Sequence, residues 1–363
     1  MKAIIFAGGT GKRLWPLSRK DSPKQVHKLF GELTALEHSV DIVSQIVKRS
    51  DIYIATGIDQ KDEIKAILSD FADDKLILES SIKDTGPAVG YSLAKLSLID
   101  PNEPVLIYWQ NGYNEYPTVL SKAVKRARDI LTNNDAIDIV YVASPSRSAN
   151  TSVGYIKRGE LVEEFGDEIK RYEFLGFKEK PDDELVKEYF EKGYAWNTGY
   201  YVTTPRKFLK LIETYAPDLY EKLQQICVKL RSGALETEIY YIYDSVDKVA
   251  IDYIISENLD LDRTTLIIAD YGWNYVSTWD NLYNALRVED DQNVTKGICD
   301  LTDTKNSLVF NDDKDFLVAT VGVDDICVVK DGNAVLVCSM KDAYKVKDLY
   351  DKLASDPKNI KFV

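Results

Sequence analysis

Lys2-Ala3-Ile4-Ile5-Phe6-Ala7-Gly8-Gly9-Thr10-Gly11-Lys12-Arg13-Leu14-Trp15-Pro16-Leu17-Ser18-Arg19, with Pro23-Lys24-Gln25 close behind, opens the chain and constrains everything after it. An apolar run leads into a glycine-rich turn carrying Lys12 and Arg13, and Lys24 follows a few residues on. Without a Cβ, glycines at the carboxyl edge of a sheet let bare backbone N–H groups approach an anion closely. The three cations add full positive charge. The pattern predicts a loop that holds a polyphosphate.

Two commoner glycine loops do not fit. A dinucleotide fingerprint needs Gly-x-Gly-x-x-Gly, but counted from Gly9 its last glycine falls on Leu14, and Trp15-Pro16 follows instead of a helix start. A P-loop needs Gly-x-x-x-x-Gly-Lys-Ser/Thr. Here Phe6 stands where its first glycine belongs, and Arg13 follows Lys12.

Outward from the loop, apolar strands alternate with amphipathic stretches. Residues 4–7, 52–55, 76–78, 105–109 and 137–142 read as strands, and 33–46, 61–71, 86–97 and 119–131 as helices. This order predicts an α/β fold: a mainly parallel, doubly wound, Rossmann-like sheet covered by helices on both faces. Ligands of such sheets bind beyond the strand carboxyl ends, where the glycine loop falls. Residues 151–201 suggest a β-rich insert, and helical segments follow at 205–230 and 249–259. After about residue 290 the pattern turns to short strands at 306–310, 316–321, 326–329 and 334–338, then an amphipathic helix over 341–353. The expected organisation is a domain over 1–290 and a small β-rich C-terminal domain over 291–363 ending in a helix. No internal repeat is evident, and strands this short leave a rudimentary β-helix open.

At 363 residues the chain can bury a large core, and its net charge of −13 argues against nucleic-acid or anionic-membrane partners. A basic loop on an acidic background is correspondingly more telling. Cys227, Cys299, Cys327 and Cys338 show no metal spacing and, lying in apolar runs, read as buried free thiols in a reducing cytoplasm. Neither His27 nor His38 lies in a ligand pattern. With no basic-then-apolar leader and no long apolar run, a cytoplasmic protein is expected.

The loop resembles that of the sugar-1-phosphate nucleotidylyltransferases, and the Trp-Pro-Leu-Ser-Arg wording resembles their mannose-1-phosphate guanylyltransferase branch. Further blocks follow in the family's order. These are Glu79 through Val89, with Asp84-Thr85-Gly86-Pro87-Ala88; Gly154-Tyr155-Ile156; Phe177-Lys178-Glu179-Lys180-Pro181; Trp196-Asn197-Thr198-Gly199; and Ile251-Asp252-Tyr253. The resemblance implies transfer of GMP from GTP to mannose 1-phosphate, giving GDP-mannose and pyrophosphate. No covalent intermediate is required, so positioning and charge neutralisation carry catalysis.

On that resemblance Gly8, Gly9 and Gly11 wrap the triphosphate, Arg13 neutralises its β/γ end, and Lys24 bridges phosphates at the reacting centre. Thr85 and Gly86 would face the base. Asp84 is open between reading a guanine edge and capping a helix. Glu179 and Asn197 would meet sugar hydroxyls beside Gly154, and Lys180 the sugar phosphate. The resemblance also implies a Mg²⁺ ion between two aspartates, but the matching positions are Asn111 and Tyr275, both neutral, while Lys12 replaces a customary threonine. Three accounts stand open: Lys12 or a loosely held metal–triphosphate replaces the ion, a shifted set uses Asp252 or Asp270, or the chain is a catalytically impaired nucleotide-sugar-binding regulator. Another hexose 1-phosphate or base is also open, and a homodimer is compatible with the resemblance.

Overall fold

A computed structural model describes every residue except Thr10 and Asp167, and the chain divides into two compact units. The first unit comprises Met1–Gly8, Ser39–Gln110 and Asn114–Trp273; the second comprises Gly9–His38, Asn111–Tyr113 and Asn274–Val363.

The first unit is built on β1 (Lys2–Phe6), β2 (Ile52–Gly57), β3 (Leu76–Glu79) and β4 (Val105–Trp109), parallel in the order β3-β2-β1-β4. Ala3 pairs with Ile52 and with Leu106, and these strands are nearly continuous apolar runs because helices cover both faces. Two short strands, β5 (Gly112–Asn114) and β12 (Trp273–Tyr275), lie where the chain passes between units. The sheet continues through β6 (Ile139–Pro145), β7 (Tyr155–Glu164), β8 (Ile169–Lys178), β9 (Ala195–Trp196), β10 (Tyr201–Thr203) and β11 (Thr264–Ala269). β11 runs parallel to β6, whereas β10 lies antiparallel between β4 and β6. Three residues of β10 are too short to announce themselves in sequence, and the β7–β8 hairpin of the insert adds further antiparallel pairing.

Helices α1 (Ala35–Ser44), α2 (Lys61–Ile67), α3 (Thr85–Ser97) and α4 (Pro117–Asn133) follow the periodicity. The insert also holds α5 (Asp183–Glu191), hidden from a strand-based expectation and started by Asp182, whose carboxylate accepts the Leu185 N–H. Next come α6 (Pro205–Tyr215), α7 (Pro217–Arg231), α8 (Glu236–Asp244) and α9 (Ile251–Ile254). Thr204 caps α6 and proline opens both α6 and α7, so the expected long helix over 205–230 is two helices broken at Ala216-Pro217. Ile4, Ile107, Val89, Phe208, Leu223 and Ile251 share one buried core.

In the second unit α10 (Trp279–Leu286) leads into β13 (Val294–Lys296), β14 (Cys299–Thr302), β15 (Leu308–Asn311), β16 (Val318–Val321), β17 (Ile326–Asp331) and β18 (Ala334–Ser339), with α11 (Val346–Ser355) after them. β13, β15 and β17 form one parallel ladder and β14 and β16 another. Alternation between two ladders is the path of a short β-helix, the form the strand lengths had left open. β18 ends it by pairing antiparallel with β17. A division at residue 290 separates stretches of chain, but the contacts cut across it: Leu14, Trp15 and Leu17 share a buried core with Trp279, Phe310, Val329 and Tyr350. Each such large side chain removed from water stabilises the docked loop by roughly 2 kcal/mol.

Candidate active site

The loop leaves β1 where the sheet ends, at Ala7, whose N–H donates to Ala55 O at 2.9 Å. Cβ atoms built on Gly8 or Gly9 would meet nothing within 4 Å, so these backbone groups face open space. Thr10 lies outside the described residues. Gly11 is different: its φ is +60°, and a Cβ there would fall 2.5 Å from Ser18 Oγ and 2.8 Å from Lys24 Cβ. The glycine therefore lets Lys24 pack against the turn.

The Lys24 ammonium donates to Val276 O at 3.0 Å, and its burial pulls the pKa down to about 8. Gln25 Nε2 donates to Gly9 O at 3.2 Å. Arg13 is exposed. Lys12 reaches Asp351 Oδ1 on α11 at 2.8 Å and lies 5.2 Å from the centre of the Tyr350 ring. Arg19, the last residue of the Trp-Pro-Leu-Ser-Arg stretch, grips the β17–β18 turn: it donates to Asp331 O at 3.0 Å, Asp331 Oδ2 at 3.2 Å and Asn333 Oδ1 at 2.8 Å.

In the first unit the β3–α3 connection carries the expected base-facing residues. Asp84 stands at φ +71° and accepts the Thr85 N–H at 2.7 Å, which makes it the cap of α3. Thr85 Oγ1 accepts the Ile251 N–H at 2.7 Å and Gly86 N–H donates to Val249 O at 2.9 Å, so both are tied to the segment entering α9. Glu79, at the carboxyl end of β3, accepts the Tyr243 hydroxyl proton, and burial lifts its pKa to about 7. Sequence reasoning gave Glu79 no role; its one signal was a lone carboxylate closing an apolar strand.

Gly154, Glu179, Lys180 and Asn197 converge. Asn197 N–H donates to Gly154 O at 2.8 Å, and a Cβ on Gly154 would sit 2.6 Å from Glu179 Oε2 and 3.5 Å from Asn197 Cβ. Lys180 Nζ pairs with Glu179 Oε1 at 2.7 Å. Lys180 holds φ +40°, a left-handed conformation costing about 1 kcal/mol or more that persists where surroundings impose it and clusters at functional sites. The Glu179 side chain is only 12 % exposed, the Lys180 side chain 57 %, so a cation stands at the mouth of an enclosed carboxylate. Asp252 completes the group: Asn197 Nδ2 approaches its Oδ1 at 3.5 Å and the Ser256 hydroxyl donates to it at 3.3 Å. Burial first, and the neighbouring Glu179 charge second, raise the Asp252 carboxyl to about 7.

Val276 N–H donates to Asn111 O at 2.9 Å, so Asn111 and Tyr275 occupy adjoining backbone segments. They offer an amide and a phenol where Mg²⁺ calls for carboxylates, and the Lys24 ammonium is bonded at Val276, next to Tyr275. This donor set does not fit a protein-held Mg²⁺ ion. Among the described residues no three His, Cys, Asp or Glu are grouped to hold a metal. Asp270 pairs with Arg147 at 2.7 Å, and Asp252 belongs to the Glu179 group. All four cysteines are free thiols; Cys227 and Cys327 are buried, Cys299 and Cys338 half-buried.

A glycine turn follows the first strand of the large α/β sheet, and a carboxylate, an ammonium and an amide gather around Gly154 within the first unit. Residues 2–292 match the nucleotidyl transferase family, and the chain belongs to it. Residues 301–353 match the mannose-phosphate isomerase/GMP-like β-helix domain. Mannose-1-phosphate guanylyltransferase RfbM of Salmonella typhimurium is 25 % identical over 98 % of this chain and 73 % of its own length. Mannose-1-phosphate guanylyltransferase 2 of Escherichia coli O157:H7 is 27 % identical over 97 % and 73 %. The crystal structure of mannose-1-phosphate geranyltransferase from Thermus thermophilus superposes with a TM-score of 0.84 at 28 % identity, covering 97 % of this chain and 98 % of that one. Among the described residues no helix is long and apolar enough to cross a membrane.

Proposed function

We propose that this chain transfers GMP from GTP to mannose 1-phosphate, releasing pyrophosphate and forming GDP-mannose. The observation that carries the reading is the convergence of Gly154, Glu179, Lys180 and Asn197, distant in sequence, on one buried carboxylate with an ammonium at its mouth. Glu179 and Asn197 are suited to sugar hydroxyls and Lys180 to the sugar phosphate. The amides around Gly8 and Gly9 would take the triphosphate, with Arg13 and Lys24 offsetting its charge. In the reaction a phosphate oxygen of the hexose 1-phosphate forms a bond to the α-phosphorus of GTP in line, as the bond from that phosphorus to the bridging oxygen breaks. Pyrophosphate leaves with the electron pair. The protein holds the reactants in line and neutralises the charge that builds on the leaving phosphates. The names of the relatives favour GTP and mannose 1-phosphate among nucleotides and hexose phosphates.

A second reading, a nucleotide-sugar-binding regulator without turnover, is favoured by Asn111 and Tyr275, neutral residues at the positions where the resemblance implies metal-binding aspartates. Pyrophosphate release over four nucleoside triphosphates and several hexose 1-phosphates, with and without EDTA, separates the two. Turnover with GTP and mannose 1-phosphate supports the transferase. Tight GDP-mannose binding with no turnover under any metal condition supports the regulator, and neither turnover nor binding removes both.

A further inference from the structure

Lys12 is the loop residue whose position the proposed chemistry leaves unexplained. The segment after it is fastened to the C-terminal part of the same unit by buried groups: Trp15 Nε1 donates to Phe362 O at 2.6 Å, Trp279 Nε1 to Trp15 O at 2.9 Å, and Arg19 grips the β17–β18 turn. The Lys12–Asp351 contact is of another kind. Both side chains are substantially exposed, 39 % and 45 %, and the pair joins a glycine turn to one face of α11 by a hydrogen-bonded charge contact of 2.8 Å, with the Lys12 ammonium also 5.2 Å from the centre of the Tyr350 ring. The ammonium holds the Asp351 carboxyl below its ordinary range.

An exposed pair of this type is weak, because water screens it and both side chains lose rotamer freedom. A nucleoside triphosphate brings several negative charges to amides three and four residues before Lys12, far more than one carboxylate offers. We propose that Asp351 is a built-in competitor for the polyphosphate: Lys12 rests on Asp351 while the loop is empty and transfers to the bound phosphates when it fills, releasing that face of α11. This rests on the reading that the glycine loop binds a polyphosphate. Lys12 thereby becomes a chain-specific polyphosphate ligand, and the C-terminal helix acquires a response to nucleotide occupancy.

The test is calorimetry with GTP and with inorganic tripolyphosphate on the full chain, as wild type, Asp351→Asn, Lys12→Met and the double variant, at low and at 0.5 M salt. Asp351→Asn should bind both ligands more tightly at low salt, by up to about 5-fold, with the gain fading at high salt. Lys12→Met should bind more weakly, and adding Asp351→Asn to it should change nothing. Hydrogen exchange in α11 should quicken on adding GTP to the wild type and not to Lys12→Met. Unchanged or weaker binding by Asp351→Asn, or a gain that survives without Lys12, overturns the competition. Absence of any GTP or tripolyphosphate binding by the wild type overturns instead the reading of the loop itself.

Discussion

Replacing Lys24 with methionine should make the protein more stable and inactive at once. Burial pulls the Lys24 ammonium from its ordinary 10.5 to about 8, so at pH 7 the folded chain carries a charge it holds poorly. Roughly two and a half pKa units correspond to about 3 kcal/mol of destabilisation below pH 8. Methionine keeps the stem and removes the charge, but it leaves Val276 O without this donor, which returns about 1 kcal/mol. The net expectation is a gain of about 2 kcal/mol at pH 7. Because the folded pKa is depressed, the unfolded chain binds the extra proton between pH 8 and 10.5, and wild-type stability climbs across that window. The advantage of Lys24→Met should therefore shrink as pH rises above 8, vanish near about 9.5 and reverse by about 1 kcal/mol near 10.5. Urea unfolding followed by tryptophan fluorescence suits the measurement, since Trp15 and Trp279 lie in the same buried core of the second unit. Pyrophosphate release should fall at least about 100-fold, the scale of losing one charge-stabilising group at a reacting centre. A stability difference that stays constant from pH 7 to 10.5, or a variant weaker than wild type at pH 7, would show that Lys24 is not desolvated and refute the reasoning.

The sugar side of the site gives further tests. Gly154→Ala puts a methyl 2.6 Å from Glu179 Oε2 and 2.9 Å from Phe177 Cζ, so KM for hexose 1-phosphate should rise about 10-fold or more while KM for GTP holds; parallel losses for both substrates would mean Gly154 serves folding only. Asp252 titrates near 7, raised from its ordinary range, so the stability it lends is present at acid pH and disappears as pH climbs toward and through 7. Asp252→Asn should flatten stability between pH 4 and 8 and erase an inflection near 7 in the pH profile of sugar-phosphate KM; profiles that superpose with wild type remove Asp252 from the group. Arg13 is exposed, so Arg13→Ala should leave the melting temperature within a degree or two and cut kcat/KM for GTP at least about 100-fold; undiminished kcat/KM would free Arg13 of any phosphate role.

Much of the fold was legible because its signals are local. β1 through β4 are nearly continuous apolar runs, and the helices between them keep a helical period, so the parallel framework follows from pattern alone. The three-residue β10 and the two-residue β9 carry no such signal; pairing with β4 and β6 makes β10 a strand, and pairing with β6 and β7 makes β9 one. The β-helix was likewise open in sequence, because strands of three to six residues acquire identity only by stacking into ladders.

At the site, the order of motifs named Gly154, Glu179, Lys180 and Asn197, and the structure brings them together. The sequence offered Asp252 as a metal ligand and gave Glu79 no role, because a titration near neutral pH is made by burial and by neighbouring groups, neither of which a sequence displays. The same holds for the cations of the loop. Residue order alone determined that Lys12, Arg13 and Lys24 attend one glycine turn on the first strand. Only tertiary packing decided that Lys24 is desolvated, Arg13 exposed and Lys12 paired with a helix hundreds of residues away, because the state of a charge depends on what excludes water from it.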